Sequence, residues 1–501
     1  MKSRPLATAL AVIALLSAAA CGGSSAEKGA AGQPMPESGK QVPRPSLAET
    51  GGPATSGNEG SEAARRRDTA AEQISTFALD VDTASYGYSR RIIQEGRLPE
   101  PGQVRPEEFV NSFAQDYREP DDDGFTVHMD GARAPGNGTA LLRVGLQTRR
   151  AAAEERRPAN LTFVVDVSGS MSESGRIDLV REALHKLVDQ LGPGDQVSVV
   201  AFSDRADVLL SMTPATDRDR LHAAVERLAV GRSTNLEEGL TSGYAEAATS
   251  FRAVAVNRVI LLSDGLANVG DTTWQGILAR VEEAAGKKIT LLCVGVGRDY
   301  GDQLMEQLAD NGDGAAVYVS SVDDARKVFV EQLATNLDLR ARDAKAQVVF
   351  NPSVVESYRL IGYENRQLAT EDFRDDAKDG GEIGPGHSVT ALYEVRLRGG
   401  ASGQLATATV RWQDPDTRDP AEATRSLAAG DLASSLWRDS TPRFQVDVVA
   451  AGFAEYLRTG EGIAGAAPED LAAHATRLAA ATEDPAVTEL ATLIGKAGSF
   501  R

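Results

Sequence analysis

Two hydrophobic periods alternate between residues 161 and 336. Unbroken apolar runs of about four to eight residues mark strands covered on both faces, while apolar residues recurring every three or four positions mark amphipathic helices. The runs predict strands at 161–165, 196–202, 207–211, 259–262, 289–295 and 316–319. Helical stretches fill the gaps at 177–191, 218–228, 236–249, 274–285, 303–309 and 322–334. Alternation of this kind needs crossover connections, so residues 158–336 are expected to form a Rossmann-like α/β domain with a doubly wound, mainly parallel, six-stranded sheet.

Beyond Leu337 the period falls to two. Strands with alternating faces are expected at 346–350, 355–362, 389–398 and 406–413, in the region 337–428. The same alternation at 124–129 and 140–148 predicts one β-sandwich built from both sides, with the α/β domain inserted in it or flanked by it. Residues 76–157 form the flanking region on the N-terminal side, with a strand near 77–83 and helices at 85–95 and 106–114. Residues 429–501 turn helical again, and Thr441-Pro442, Pro468 and Asp484-Pro485 each signal a helix start.

The first 75 residues read differently. Lys2 and Arg4, an apolar stretch at 6–16 and Ala18-Ala-Ala20 make residues 1–20 a secretory leader, too short for the roughly 20 apolar residues of a membrane span. Cys21 follows at once. Ala-Ala-Ala-Cys resembles a bacterial lipobox, which implies a lipid on Cys21 and a chain anchored on the extracytoplasmic face of the cell membrane. Residues 22–76 contain no aromatic residue and are dominated by Gly, Ser, Ala, Pro and Glu, so 21–75 is expected to be a flexible tether, with order starting at Phe77. The other cysteine, Cys293, lies in an apolar run and has no disulfide partner to hand. A net charge of −19 argues against nucleic acid as a partner, since a phosphate-binding face needs clustered Lys and Arg.

Chemistry concentrates at strand ends. Leu161-Thr-Phe-Val-Val-Asp166-Val-Ser168-Gly-Ser170 closes an apolar strand with one carboxylate and two hydroxyls, at the carboxyl end where open α/β sheets place their ligands. Oxygen donors without His or Cys suit Mg²⁺, Mn²⁺ or Ca²⁺. Ser233-Thr234-Asn235 then precedes a helix, and Val259-Ile-Leu-Leu-Ser-Asp264 ends a second buried strand on a carboxylate. Ordinary strand-end turns of a doubly wound sheet would give each piece singly; three in order point to a metal site.

Together these pieces resemble the von Willebrand factor A domain and its metal-ion-dependent adhesion site. The resemblance implies that Ser168, Ser170 and Thr234 are hydroxyl ligands, with Asp166 and Asp264 as carboxylates acting through water. Mg²⁺ is the expected ion. Thr76-Phe-Ala-Leu-Asp-Val-Asp-Thr-Ala-Ser-Tyr86, Gly362-Tyr-Glu-Asn-Arg366 and Glu382-Ile-Gly-Pro-Gly-His-Ser-Val-Thr-Ala-Leu-Tyr393 are similar to the YfbK-like lipoproteins. The resemblance implies metal-bridged capture of a protein partner's Asp or Glu, the loops at 173–175, 231–233 and 266–271 adding specificity. The rival expectation is an envelope scaffold whose metal is only structural.

Other patterns are weaker. Asp80-Val-Asp82-Thr83 satisfies the DxDxT opening of Mg²⁺-dependent phosphohydrolases, but the segment directly after it offers one helix and then sandwich strands instead of the parallel sheet that such an enzyme needs. The acidic stretch 371–382 reads as a solvated loop or a second Ca²⁺ site, and Asp310-Asn-Gly-Asp-Gly314 as a turn, because Ser321 stands where an EF-hand needs Glu. Five scattered histidines and no HExxH or GxSxG motif leave a binding protein rather than an enzyme.

Overall fold

The computed structural model describes residues 67–500 apart from 69–70, 136–137, 151–155, 265–273, 297–301, 320, 327, 330–337 and 464–467. The leader, Cys21 and residues 22–66 of the expected tether lie outside the described residues.

On the N-terminal side stand strands β1 (Arg67–Asp68), β2 (Ile74–Ala78), β3 (Phe125–Arg133) and β4 (Thr139–Thr148), with helices α1 (Ala84–Gln94) and α2 (Pro106–Asn111) between β2 and β3. The α/β domain then supplies β5 (Ala159–Asp166), β6 (Gln196–Phe202), β7 (Ala206–Pro214), β8 (Val256–Ser263), β9 (Ile289–Val296) and β10 (Ala315–Val319). Its helices are α3 (Arg176–Gln190), α4 (Arg218–Glu226), α5 (Leu236–Thr249), α6 (Trp274–Gly286), α7 (Asp302–Asn311) and α8 (Val322–Arg326). The six strands run β10-β9-β8-β5-β6-β7, all pairings parallel except β6 with β7. The expected doubly wound sheet is present.

The chain leaves the sandwich after β4 and re-enters it, in the opposite sheet, at β11 (Ala341–Phe350), followed by β12 (Val355–Ile361), β13 (Gly381–Ile383), β14 (Ser388–Leu397), β15 (Gln404–Gln413) and β16 (Pro420–Ala428). One antiparallel sheet has the order β1-β12-β14-β4-β3, and the other the order β13-β11-β15-β16 with β2 also pairing β11. Their inner faces share a core in which Phe350 stacks on Tyr358 with ring centres 4.2 Å apart and Phe125 meets Trp412 edge-on at 5.0 Å. The α/β domain is thus inserted between sandwich strands that pair with one another, β4 with β14.

Of the C-terminal helices α9 (Leu436–Asp439), α10 (Pro442–Thr459), α11 (Pro468–Thr482) and α12 (Pro485–Gly498), the last three begin where the prolines indicated. Thr441 caps α10 by accepting from the Phe444 amide, and Asp484 caps α12 by accepting from the Ala486 amide at 2.9 Å. These helices pack with α1 and α2 against the outer face of the β4-bearing sheet. That sheet is therefore covered on both faces, and nine of the ten residues of β4 are buried. Arg143 of β4 and Arg359 of β12 meet the helical layer through Asp447 and Glu455, each at 2.9 Å.

Order starts earlier than expected. Residues 74–76, placed by composition in the tether, belong to β2, and Arg67–Asp68 pairs with Ser357 and Tyr358. Local composition misses this because β2 is stabilised by a strand nearly 270 residues later: Gln347 Nε2 donates to Thr76 Oγ1 across a separation of 271.

Three parts of the chain meet at Arg366. Its guanidinium reaches Asp80 (3.3 Å), Asp310 (2.9 Å), Asp82 (3.6 Å) and Glu306 (3.8 Å). Asp82 Oδ1 in turn accepts from the Ala316 amide of edge strand β10 at 2.9 Å. Asp80 and Asp82, both buried, thus clamp the N-terminal segment to the α/β domain. Removing one partner of a buried charge network costs about 3–5 kcal/mol. Arg366→Met is expected to lower the urea midpoint accordingly; a loss below about 1 kcal/mol, the range of exposed pairs, would contradict a joint held by this charge.

Candidate functional site

β5 lies in the middle of the parallel sheet, and the chain steps to β6 on one side and to β8 on the other. The carboxyl ends of β5 and β8 therefore flank the topological switch point, where a crevice opens between diverging connections. Asp166 is the last residue of β5, and Asp264 follows the last residue of β8.

Asp166 is fully buried. One of its oxygens accepts from the Ser168 amide at 2.8 Å and the other from Ser263 Oγ at 2.7 Å. Burial pushes its carboxyl up to about 6, against the pull of these donors. Ser168 Oγ and Ser170 Oγ stand 3.0 Å apart in the turn that follows. The loop bearing Thr234 is pinned to this turn from both directions: the Gly231 amide donates to Val167 O, and the Gly169 amide to Arg232 O at 3.4 Å. A Cβ on Gly231 would meet Ser203 Oγ at 2.5 Å, so glycine is required for this close approach. Thr234 is 2 % exposed, directly ahead of Asn235, whose side chain caps α5 by accepting from the Glu238 amide at 3.2 Å.

The structure adds one residue that the sequence reading missed. Arg176, the first residue of α3 and buried, donates from Nη1 to Asp264 Oδ2 at 2.7 Å and to Ser170 O at 3.1 Å. A cation at a helix N-terminus opposes the macrodipole, and that misfit was the available signal. Arg176 ties the second carboxylate to the hydroxyl turn. Asp264 Oδ1, by contrast, is buried without a hydrogen-bond partner among the described residues. An orphaned carboxylate oxygen beside two hydroxyls and a second carboxylate fits a hard divalent cation or its bound water. Of the expected specificity loops, 173–175 and 231–233 border this turn; 266–271 lies outside the described residues.

The other sequence candidates resolve into structure. Asp80 and Asp82 belong to the Arg366 clamp. In the stretch 371–382, Asp376 is paired with Arg411 at 2.9 Å, while Asp379 and Glu382 approach Asp343.

Comparison with known families places these features. The profile described as von Willebrand factor type A domain matches residues 160–368, that of the C-terminal region of uncharacterized protein YfbK matches 335–404, and a von Willebrand factor profile matches 56–143. Uncharacterized protein YfbK of Escherichia coli is 35% identical over 343 residues, covering 66% of this chain and 60% of that protein. Uncharacterized protein sll0103 of Synechocystis is 30% identical over 291 residues, 52% of this chain and 67% of the relative. The inter-alpha-trypsin inhibitor heavy chain H4 of Homo sapiens is 30% identical over 259 residues, 46% of this chain and 27% of the relative. The chain spans 60% of the length of YfbK and about a quarter of that of the heavy chain.

Arg176→Met leaves Asp264 buried beside Asp166 without its counter-charge. In EDTA this is expected to cost about 3–5 kcal/mol, read from the urea midpoint. Equal midpoints for variant and wild type would mean that Arg176 does not hold the site.

Proposed function

As a member of the von Willebrand factor type A domain family that also carries the YfbK C-terminal region, the chain is one for which we propose a role in metal-dependent protein binding at the cell surface. Asp166, Ser168, Ser170, Thr234 and Asp264 would hold the ion, with Mg²⁺ the first choice and Mn²⁺ or Ca²⁺ alternatives. Bound there, a divalent cation supplies an electrophilic coordination position for an Asp or Glu carboxylate of the partner. The observation that carries this reading is the buried, unpartnered Asp264 Oδ1 at the switch point.

The protein's own groups set the character of the site. Ser168, Ser170 and Thr234 bring no charge, so a cation held there keeps more of its attraction for an anionic partner than it would among five carboxylates. Arg176 fixes Asp264 in place and offsets its charge. Asp166 is met only by hydrogen-bond donors among the described residues, leaving its charge for the ion.

The anchor belongs to the same proposal. Lipidated Cys21 and the segment 21–75 would hold the folded part on the extracytoplasmic face of the membrane. No helix among the described residues is long and apolar enough to cross a membrane.

Two measurements test the reading. Calorimetry should detect Mg²⁺ binding by the wild type and none by the Asp166→Ala, Asp264→Ala double variant, with circular dichroism unchanged; cross-linked partners should appear with Mg²⁺ and vanish in EDTA. If EDTA lowered the melting temperature but left capture intact, the scaffold role would replace adhesion. For the anchor, intact-mass spectrometry of the membrane-extracted chain should show an acylated Cys21, and Cys21→Ser should shift the protein to the soluble fraction. An unmodified Cys21 on the mature wild type would remove the anchor from the proposal.

A further inference from the structure

A second set of hard oxygen ligands lies away from the switch point, within the sandwich. Asp343 of β11, Asp379 of the loop before β13 and Glu382 of β13 each offer a carboxylate oxygen, and the three oxygens lie within 4.8 Å of one another. Oxygens bound to one Ca²⁺ at about 2.3–2.6 Å can stand no further apart than about 5 Å, so this spread is that of a shared ion.

The backbone is shaped to bring them together. The register of β11 against β13 slips between Ala341 and Ala344, and Asp343 sits in the slip with φ +50°. Gly380 and Gly381 let the loop run close over β11 and β2: a Cβ at Gly380 would fall 2.3 Å from Asp343 C, and one at Gly381 2.0 Å from Leu79 O.

An independent observation points to a cation. Glu382 is 8 % exposed, and its carboxylate has neither a hydrogen bond nor an ion pair among the described residues. The neighbouring cations are already engaged. Arg366 holds Asp80 and Asp310, Arg342 holds Asp313, and Lys345 Nζ donates to Asp375 O at 2.7 Å. Among the described residues, the half-exposed Arg418 pairs with Asp343 at 3.1 Å, while Lys345 and Arg342 attract the cluster through space without bonding to it. Burial, and then Asp313, accordingly hold Glu382 well above the usual carboxylate range. Buried carboxylates lacking a counter-charge are relieved by protonation or by a metal.

We propose that Asp343, Asp379 and Glu382 form a Ca²⁺ site within the sandwich, pinning the loop before β13 to the slip in β11, separate from the strand-end site and independent of its reading. Three carboxylates without His or Cys select a hard ion, and a bulge plus a loop give the flexible, oxygen-rich shell that Ca²⁺ tolerates better than Mg²⁺.

The test uses the full chain carrying Asp166→Ala and Asp264→Ala, stripped with chelator and titrated with CaCl₂ by calorimetry. One remaining Ca²⁺ site is expected, with Kd on the order of 10⁻⁴–10⁻³ M as in extracellular modules. Changes behind a metal's direct ligands cost 10–100-fold, so adding Asp379→Asn or Glu382→Gln should weaken binding by about tenfold or more. Ca²⁺ should raise the melting temperature of the strand-end variant and not that of its Glu382→Gln derivative. Asp379 is exposed, so its variant keeps the fold. No Ca²⁺ uptake at millimolar concentration, equal uptake in both added variants, or tighter binding of MgCl₂ than of CaCl₂ would each overturn the proposal.

Discussion

One guanidinium, on Arg366, is set among Asp80, Asp82, Glu306 and Asp310, and much of the molecule is arranged around the charge imbalance this creates. These carboxylates come from the N-terminal segment and from α7 of the α/β domain, while the cation comes from the sandwich. Neither side can be withdrawn without leaving charge in a place water barely reaches, so three stretches of chain are locked as one body. The surplus of acid also fits Glu382's having no hydrogen bond or ion pair among the described residues.

The same logic operates on a smaller scale at the switch point. Two carboxylates, Asp166 and Asp264, end neighbouring parallel strands, which the topology forces together. Arg176 offsets one of them from the start of α3, and Ser168 and Ser263 solvate the other. The arrangement is ordered by the protein alone, yet Asp264 Oδ1 stays unpaired among the described residues. A site that is shaped in advance but incompletely satisfied would take up an ion with little further cost of ordering.

How much of this was legible follows from range. The α/β strands and helices announce themselves because burial on both faces and crossover helices write strong local periods. Asp166, Ser168, Ser170, Thr234 and Asp264 share that visibility, since each sits at the end of such an element. β2 was hidden because its partner lies in a remote part of the chain, and β16 because its residues are mostly exposed and show no apolar alternation. Arg176 stands one residue ahead of the expected helix and belongs to none of the motifs, so neither the motifs nor the expected elements mark it. Asp379 and Glu382 looked like the rest of an acidic loop; only the slip in β11 separates them from Asp376, which has found an arginine. Asp80 and Asp82 imitate a catalytic motif because short acidic spacing serves a clamp as well as it serves phosphoryl chemistry.

The pairing of β4 with β14 bears on how such a chain assembles. Gln147 bonds to the carbonyl of Gly386, a sequence separation of 239 residues, and the helices that cover the outer face of the same sheet are the last part to be synthesised. The sandwich therefore cannot close on a partial chain, whereas β5 to β10 lie within one continuous stretch. Once the inserted domain has folded, its compact body replaces a long floppy loop and draws the ends of β4 and β11 toward each other, removing much of the loop-closure entropy that would otherwise slow the pairing. Until then, β3 and β4 are a hairpin with an unoccupied edge, the form of intermediate most prone to wrong partners, and one whose exposure lasts as long as the C-terminal third takes to arrive.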